Sequence, residues 1–209
     1  MPSDPLFHIV LHAPEIPQNT GNIGRIACCT ECRLHLVKPI SFSFDDAHLK
    51  RAGMDYWRHV DCIIHEDFES VLAAAAGAPM YFFSTKAKQC YWGCPFERGS
   101  FLVFGSESKG LPQYLHDTYA PQFYTIPMPG NFNRSLNLAN STAVAVYEGL
   151  RRILPGSGRL SLTKKNSRGS RIKRRNPRPN PPRKRPLFPP KPSLSWSRRK
   201  RRNRPGKRF

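Results

Sequence analysis

Three loops of this 209-residue chain concentrate the residue types that can hold a ligand and work on it. The first is Pro14-Glu15-Ile16-Pro17-Gln18-Asn19-Thr20-Gly21-Asn22-Ile23-Gly24-Arg25. It sets Asn19 at a helix entrance, with Asn and Thr as cap residues, and Arg25 just inside that helix. Its two glycines let another backbone come close. The second is Phe104-Gly105-Ser106-Glu107-Ser108-Lys109-Gly110-Leu111-Pro112, where Gly105 and Gly110 permit sharp turns at the end of a strand. Ligands of open α/β sheets sit at such carboxyl ends. The third runs from Ile126 to Ser141 and crowds amides and hydroxyls (Asn131, Asn133, Ser135, Asn137, Asn140) before a helix N-terminus. That terminus offers free backbone N–H groups and positive potential. Each loop alone also has a plain structural reading: a capped helix start with an exposed Arg, a tight turn, or ordinary capping by Ser135 or Asn137.

Nucleoside-triphosphate chemistry is excluded, because the second loop lacks the G-x-x-x-x-G-K-[ST] order of a P-loop. A generic dinucleotide site is excluded too, since no G-x-G-x-x-G follows the first strand. Cysteines stand at 28, 29, 32, 62, 90 and 94. The Cys29-x-x-Cys32 pair lies on an expected helix and Cys90 and Cys94 in an expected loop. Their spacing fits no zinc pattern, so reduced thiols and no metal are expected.

The elements that position these loops alternate. Apolar runs at 6–11, 34–37, 60–64, 80–83, 101–104 and 123–126 read as strands. Helices are expected over about twelve residues from Asn19, over 45–52, 68–76, 112–117, and most clearly 138–154. There Ala143, Val146, Tyr147, Leu150 and Ile153 recur at helical spacing until Pro155 and Gly156 end it. The class is α/β with a mostly parallel sheet flanked by helices.

Charge divides the chain. Residues 1–154 hold 13 Lys and Arg against all 14 Asp and Glu, while residues 155–209 hold the other 21 basic residues, 10 of the 21 prolines and no acid. The overall +20 therefore belongs to a tail. A domain at 1–156 and a disordered Pro/Arg/Lys-rich tail at 157–209 are expected. The tail reads as a non-specific RNA anchor, as a nuclear address, or as an extension with no role. No apolar run reaches 18 residues and no signal peptide is evident, so a cytoplasmic protein is expected.

Taken in order, the three loops resemble the three motifs of the SPOUT class of RNA methyltransferases. The resemblance covers about residues 6–154. It is strongest to the tRNA wobble-position 2'-O-methyltransferases over Pro14 to Arg25, Arg51-Ala52-Gly53-Met54-Asp55-Tyr56, Ser84-Thr85-Lys86, Arg134 to Ser141 and Val146-Tyr147-Glu148. Gly24, where a larger apolar residue is common, the segment Pro129 to Asn133, and the tail depart from the pattern.

The resemblance implies a deep C-terminal trefoil knot that binds S-adenosyl-L-methionine. It implies methyl transfer to the ribose 2'-hydroxyl of a wobble cytidine or modified uridine, in leucine tRNA. Arg25 is then catalytic, with Asn19 and Glu107 orienting it and the loops, and Ser135 and Asn137 at the ribose or cofactor edge. Phe83, Ser84, Thr85, Gly105, Ile126, Pro127, Ser135 and Leu136 line the cofactor. Arg51, Tyr56, Trp57 and Arg58 meet the anticodon stem-loop, although Tyr56 and Trp57 also read as a half-buried aromatic pair. A homodimer, with the helix at 138–154 near its interface, is implied. A guanidinium keeps its proton in ordinary sites, so the expected role of Arg25 is to stabilise the developing alkoxide or clamp a phosphate. The competing readings are a 2'-O-methyltransferase for rRNA or another tRNA position, and a non-catalytic RNA-binding protein.

Overall fold

A computed structural model describes residues 4–42, 56–131 and 134–154. The chain divides into two units, Met1–Leu160 and Ser161–Phe209. The expected tail at 157–209 and the expected helix at 45–52 lie outside the described residues.

The elements run β1 (His8–His12), α1 (Pro17–Thr30), β2 (Arg33–Val37), β3 (Cys62–His65), α2 (Phe68–Ala75), β4 (Met80–Phe83), β5 (Gln89–Cys90), β6 (Phe101–Phe104), α3 (Gln113–Thr118), β7 (Phe123–Thr125) and α4 (Leu138–Ile153). Single 3₁₀ turns fall at Trp57–His59, Tyr91–Gly93 and Ala120–Gln122. The strands form one seven-stranded sheet in the order β3-β2-β1-β6-β4-β7-β5. Every named pairing is parallel. Strand β6 slots between β1 and β4, with His8 and Met80 both in register with Phe101. The chain thus changes direction across the sheet at β1 and β6, and crevices form beyond the carboxyl ends of strands at such reversals.

Parallel strands buried on both faces need apolar residues at successive positions. Phe101, Leu102, Val103 and Phe104 are all buried. Successive side chains point to opposite faces, so the core splits in two. Ile9, Leu11, Tyr81, Phe83, Leu102 and Phe104 pack with Ile23 and Ala27 of α1 and Ala145 and Val146 of α4. Val10, Phe82, Phe101 and Val103 pack with Phe68 and Val71 of α2 and Leu115 of α3. Gly149 lets α4 approach closely: a β-carbon there would lie 2.7 Å from the Phe7 ring.

One helix start differs from expectation. Helix α1 begins at Pro17, with Ile16 at the cap and no side-chain cap bond. Proline is preorganised for that first position and needs no N–H partner there. Asn19 and Thr20 are therefore inside the helix and not its caps, and Arg25 lies two turns in. Cys32 falls just beyond the helix that carries Cys29. The two-residue strand β5 was not legible in the sequence and places Cys90 on the sheet edge. All six cysteines are free, with Cys32 and Cys94 buried.

A line of three imidazoles crosses the β1–β2–β3 side of the sheet. His8 Nδ1 lies 2.8 Å from His35 Nε2, and His35 Nδ1 lies 2.8 Å from His65 Nε2. His8 stacks on Phe101 with ring centroids 4.1 Å apart. Burial, helped by the neighbouring rings and Arg33, pushes His35 down to about 3. Burial and then Arg33 take His8 down to about 4, and burial lowers His65. The unfolded chain holds these protons near pH 6.5. It therefore binds more protons than the folded chain below that pH, so this stabilisation is complete above about pH 6.5 and lost as pH falls toward about 4. The urea midpoint is expected to fall between pH 7 and pH 4.5, and His35→Leu, which removes the most displaced ring, is expected to flatten that decline.

Candidate functional site

The loops after β1, β4, β6 and β7 meet beyond the carboxyl edge of the sheet and enclose a cavity of about 590 Å³. That size suits one small organic ligand. What holds these loops together is a chain of side-chain hydrogen bonds. The Glu107 carboxylate accepts from the backbone N–H of Glu15 at 2.8 Å and of Ile16 at 3.3 Å, and from Asn19 Nδ2 at 2.8 Å. An ionised carboxylate only accepts, so Asn19 must turn its NH₂ toward it and its carbonyl away. Asn19 Oδ1 in turn accepts from Asn137 Nδ2 at 2.8 Å. That fixes the Asn137 carbonyl against the start of α4, where it accepts from Ala139 N and Asn140 N at 2.9 and 3.3 Å. In return the Glu15 carboxylate accepts from the Ser108 backbone N–H and hydroxyl at 3.1 and 2.6 Å.

The β6 loop folds back hard. Ser106 and Gly110 bridge each other through both backbone groups, and Gly110 has φ +70°. A β-carbon on Gly105 would collide with the backbone of Gly110 and Leu111. Glycine is required there because another stretch of backbone occupies the side-chain position.

Of the eight residues expected around a cofactor, Phe83, Ser84, Thr85, Gly105, Ile126, Ser135 and Leu136 line the cavity, and Pro127 does not. Asn19, Glu107, Ser135 and Asn137 line it, and Arg25 does not. The Asn137 amide, besides lining the cavity, bonds to α4 and to Asn19. Gly24 faces the Trp57 side chain and not another backbone. Tyr56 and Trp57 are half-buried against α1, Arg58 is exposed, and Arg51 lies outside the described residues.

Sequence reasoning missed the four nitrogen-bearing basic side chains of the lining: Lys86, Lys109, Arg134 and His116. The first three sat inside the quoted motifs and went unused. His116 carries no sequence signal; its ring stacks on Phe123 at 4.1 Å, and burial, then Lys86, lowers its pKa. Lys86, Lys109 and Arg134 make no ion pair with another described residue. Three cationic side chains (Lys86, Lys109, Arg134) line the cavity against one carboxylate (Glu107), so the lining carries an excess of positive charge. No group of three or more metal-ligating side chains occurs among the described residues. Replacing Glu107 with Ala leaves three donors without their acceptor and is expected to lower unfolding stability by about 1–3 kcal/mol in urea titration.

Comparisons with known proteins agree with this arrangement. Residues 6–147 match the SpoU rRNA Methylase family. A tRNA (cytidine(34)-2'-O)-methyltransferase of Methylovorus glucosotrophus is 47% identical over 147 residues, covering 70% of this chain and 95% of that protein. One of Burkholderia pseudomallei is 44% identical over 150 residues, with 70% and 95% covered. A solved structure bearing on the 2-OH methylation of C/U34 on tRNA superposes with a TM-score of 0.66 at 42% identity, over 72% of this chain and 97% of that one. An AdoMet-bound rRNA methyltransferase of Sinorhizobium meliloti superposes with a TM-score of 0.63 at 25% identity, over 73% of this chain and 59% of that one. With two thirds of its length matched and its cavity-forming loops inside the matched span, this chain belongs to the SpoU methylase family.

Proposed function

We propose that this protein is a tRNA 2'-O-methyltransferase that transfers a methyl group from S-adenosyl-L-methionine to the ribose of nucleotide 34. The observation that carries the reading is the electropositive cavity at the carboxyl edge, built from the loops after β4, β6 and β7. Its fit to the cofactor rests on the chemistry of the lining: the apolar Phe83, Ile126 and Leu136 share the space with the polar Ser84 and Thr85. The cofactor, when bound, supplies an electrophilic methyl group on a sulfonium. The deep C-terminal knot of the SPOUT class is part of the same reading, and the family match supports it.

The remaining chemistry belongs to the chain. Alignment of the attacking oxygen with the methyl group comes from loops that the Glu107–Asn19–Asn137 bonds keep from moving relative to one another, and such positioning supplies a large part of the rate. Lys86, Lys109 and Arg134 attract a polyanion, since phosphate contacts dominate nucleic-acid affinity. Arg25 stabilises the alkoxide that develops on the ribose, or holds the neighbouring phosphate. Arg58 and Arg51 contact the anticodon stem-loop. Residues 157–209 add sequence-independent RNA affinity, and the protein acts in the cytoplasm on leucine tRNA.

Arg25 lies six residues past Asn19, about 9 Å along the helix and roughly 240° around it. It therefore cannot share the face that Asn19 turns to the cavity. We infer a homodimer in which Arg25 of a second copy completes the site, with α4 and its exposed Val144 and Tyr147 near the interface.

The first test is transfer of labelled methyl groups by the full-length protein to unmethylated tRNA and, in parallel, to rRNA, followed by mapping of the product. Label at the ribose of position 34 is the expected result; label in rRNA alone would replace this substrate with the one in the family's name. The dimer is tested by co-expressing Arg25→Ala with Gly105→Val. The mixed dimer is expected to recover activity that neither variant has alone, and no recovery would mean that Arg25 serves the cavity of its own chain.

A further inference from the structure

One face of α1 is cut away. Gly21, Gly24 and Arg25 stand at i, i+3 and i+4, which puts them side by side on the helix surface. Trp57 fills the space over Gly24: a β-carbon there would lie 2.6 Å from Trp57 Cζ3. Beside it, the Tyr56 hydroxyl donates to the Gly21 carbonyl at 2.7 Å. The Tyr56 carbonyl accepts from His59 N at 2.8 Å, which ties the residue into the Trp57–His59 turn. Tyr56 is thus fixed at its hydroxyl, through its backbone and by its neighbour's seat in the apolar core. The Arg25 guanidinium lies over its ring, 4.6 Å from the centroid.

A carboxylate partner would fix the side chain but neutralise its charge and occupy its donors. An aromatic face holds the guanidinium flat and leaves its in-plane N–H groups open to an incoming oxyanion. Arg25 makes no ion pair with any described residue. The arrangement suits a cation whose anionic partner arrives from outside the chain and must be met in one geometry.

We propose that Tyr56 is a positioning residue for Arg25, and that Gly24 is small so that Trp57 can seat Tyr56 on α1. This rests on the reading that Arg25 acts at the ribose. It gives Tyr56 and Trp57 a role in methyl transfer, in place of the anticodon stem-loop contact, by stacking on bases, that the resemblance implied for them.

The test is single-turnover methyl transfer to tRNA by the full-length protein, with KM for tRNA measured separately and thermal melting confirming a folded chain. Tyr56→Leu is expected to lower kcat about tenfold, the scale of a partly desolvated cation–π contact, with KM for tRNA unchanged. Tyr56→Phe, which keeps the ring, is expected to restore most of that loss. In an Arg25→Lys background Tyr56→Leu is expected to add little, because the two act as one unit. Gly24→Ala is expected to displace the Trp57 ring and lower kcat, with Trp57→Leu in the same chain recovering part of it. A Tyr56→Leu effect confined to KM for tRNA would overturn the proposal in favour of base stacking. An effect that adds in full to that of Arg25→Lys would overturn it as well. Wild-type kcat in Arg25→Ala alone would instead remove the reading of Arg25 on which the proposal stands.

Discussion

The carboxyl edge of this sheet is organised by a group that can only accept. Glu107 takes three N–H donors, and its inability to give one back propagates outward. It orients the Asn19 amide, Asn19 orients Asn137, and Asn137 caps α4. In an amide–amide–carboxylate chain each flip would set acceptor against acceptor, so there is one low-energy arrangement. The start of α1, the β6 loop and the start of α4 are thereby registered to one another without a metal or a disulfide among the described residues. Helix α1 has no cap of its own, and the carboxylate that accepts from the residues entering it comes from far along the chain.

That division of labour explains what the sequence could say. The strands are apolar runs bounded by turn residues, so β4 and β6 were legible to the residue. Helix α4 advertised itself through its periodicity and the Pro155-Gly156 stop. The start of α1 was misread because Asn19 and Thr20 look like caps, whereas Pro17 sets the first turn and the polar groups face inward. Local sequence rules describe a helix from its own residues and cannot see an acceptor supplied by another loop.

The cavity was legible as a set of motifs and largely illegible as geometry. Seven of the eight residues expected around a cofactor line it because motif residues cluster at strand ends. Pro127 does not, and Arg25 stands on another face of α1, a distinction that depends on helical phase over six residues. Gly24 looked like a departure from a pattern; beside Trp57 it is one half of a size-matched pair that lies 33 residues apart. His116 gave no sequence signal because its place in the wall follows from the docking of α3 alone.

The position of β6 also dictates the order in which the molecule can be completed. It lies between β1 and β4 but is synthesised after both, so the two halves of the sheet cannot zip together in chain order. Its pairing with β1 closes a loop of more than ninety residues, from His8 to Phe101. The Asn137–Asn19 bond spans 118 residues. Contacts this distant carry a closure entropy that local contacts do not. The cavity needs both closures: a chain in which β6 has not paired with β1, or Asn137 has not met Asn19, lacks part of its wall. Ligand capture by this protein reports a finished sheet, which gives a newly made chain a built-in proof of its own completeness.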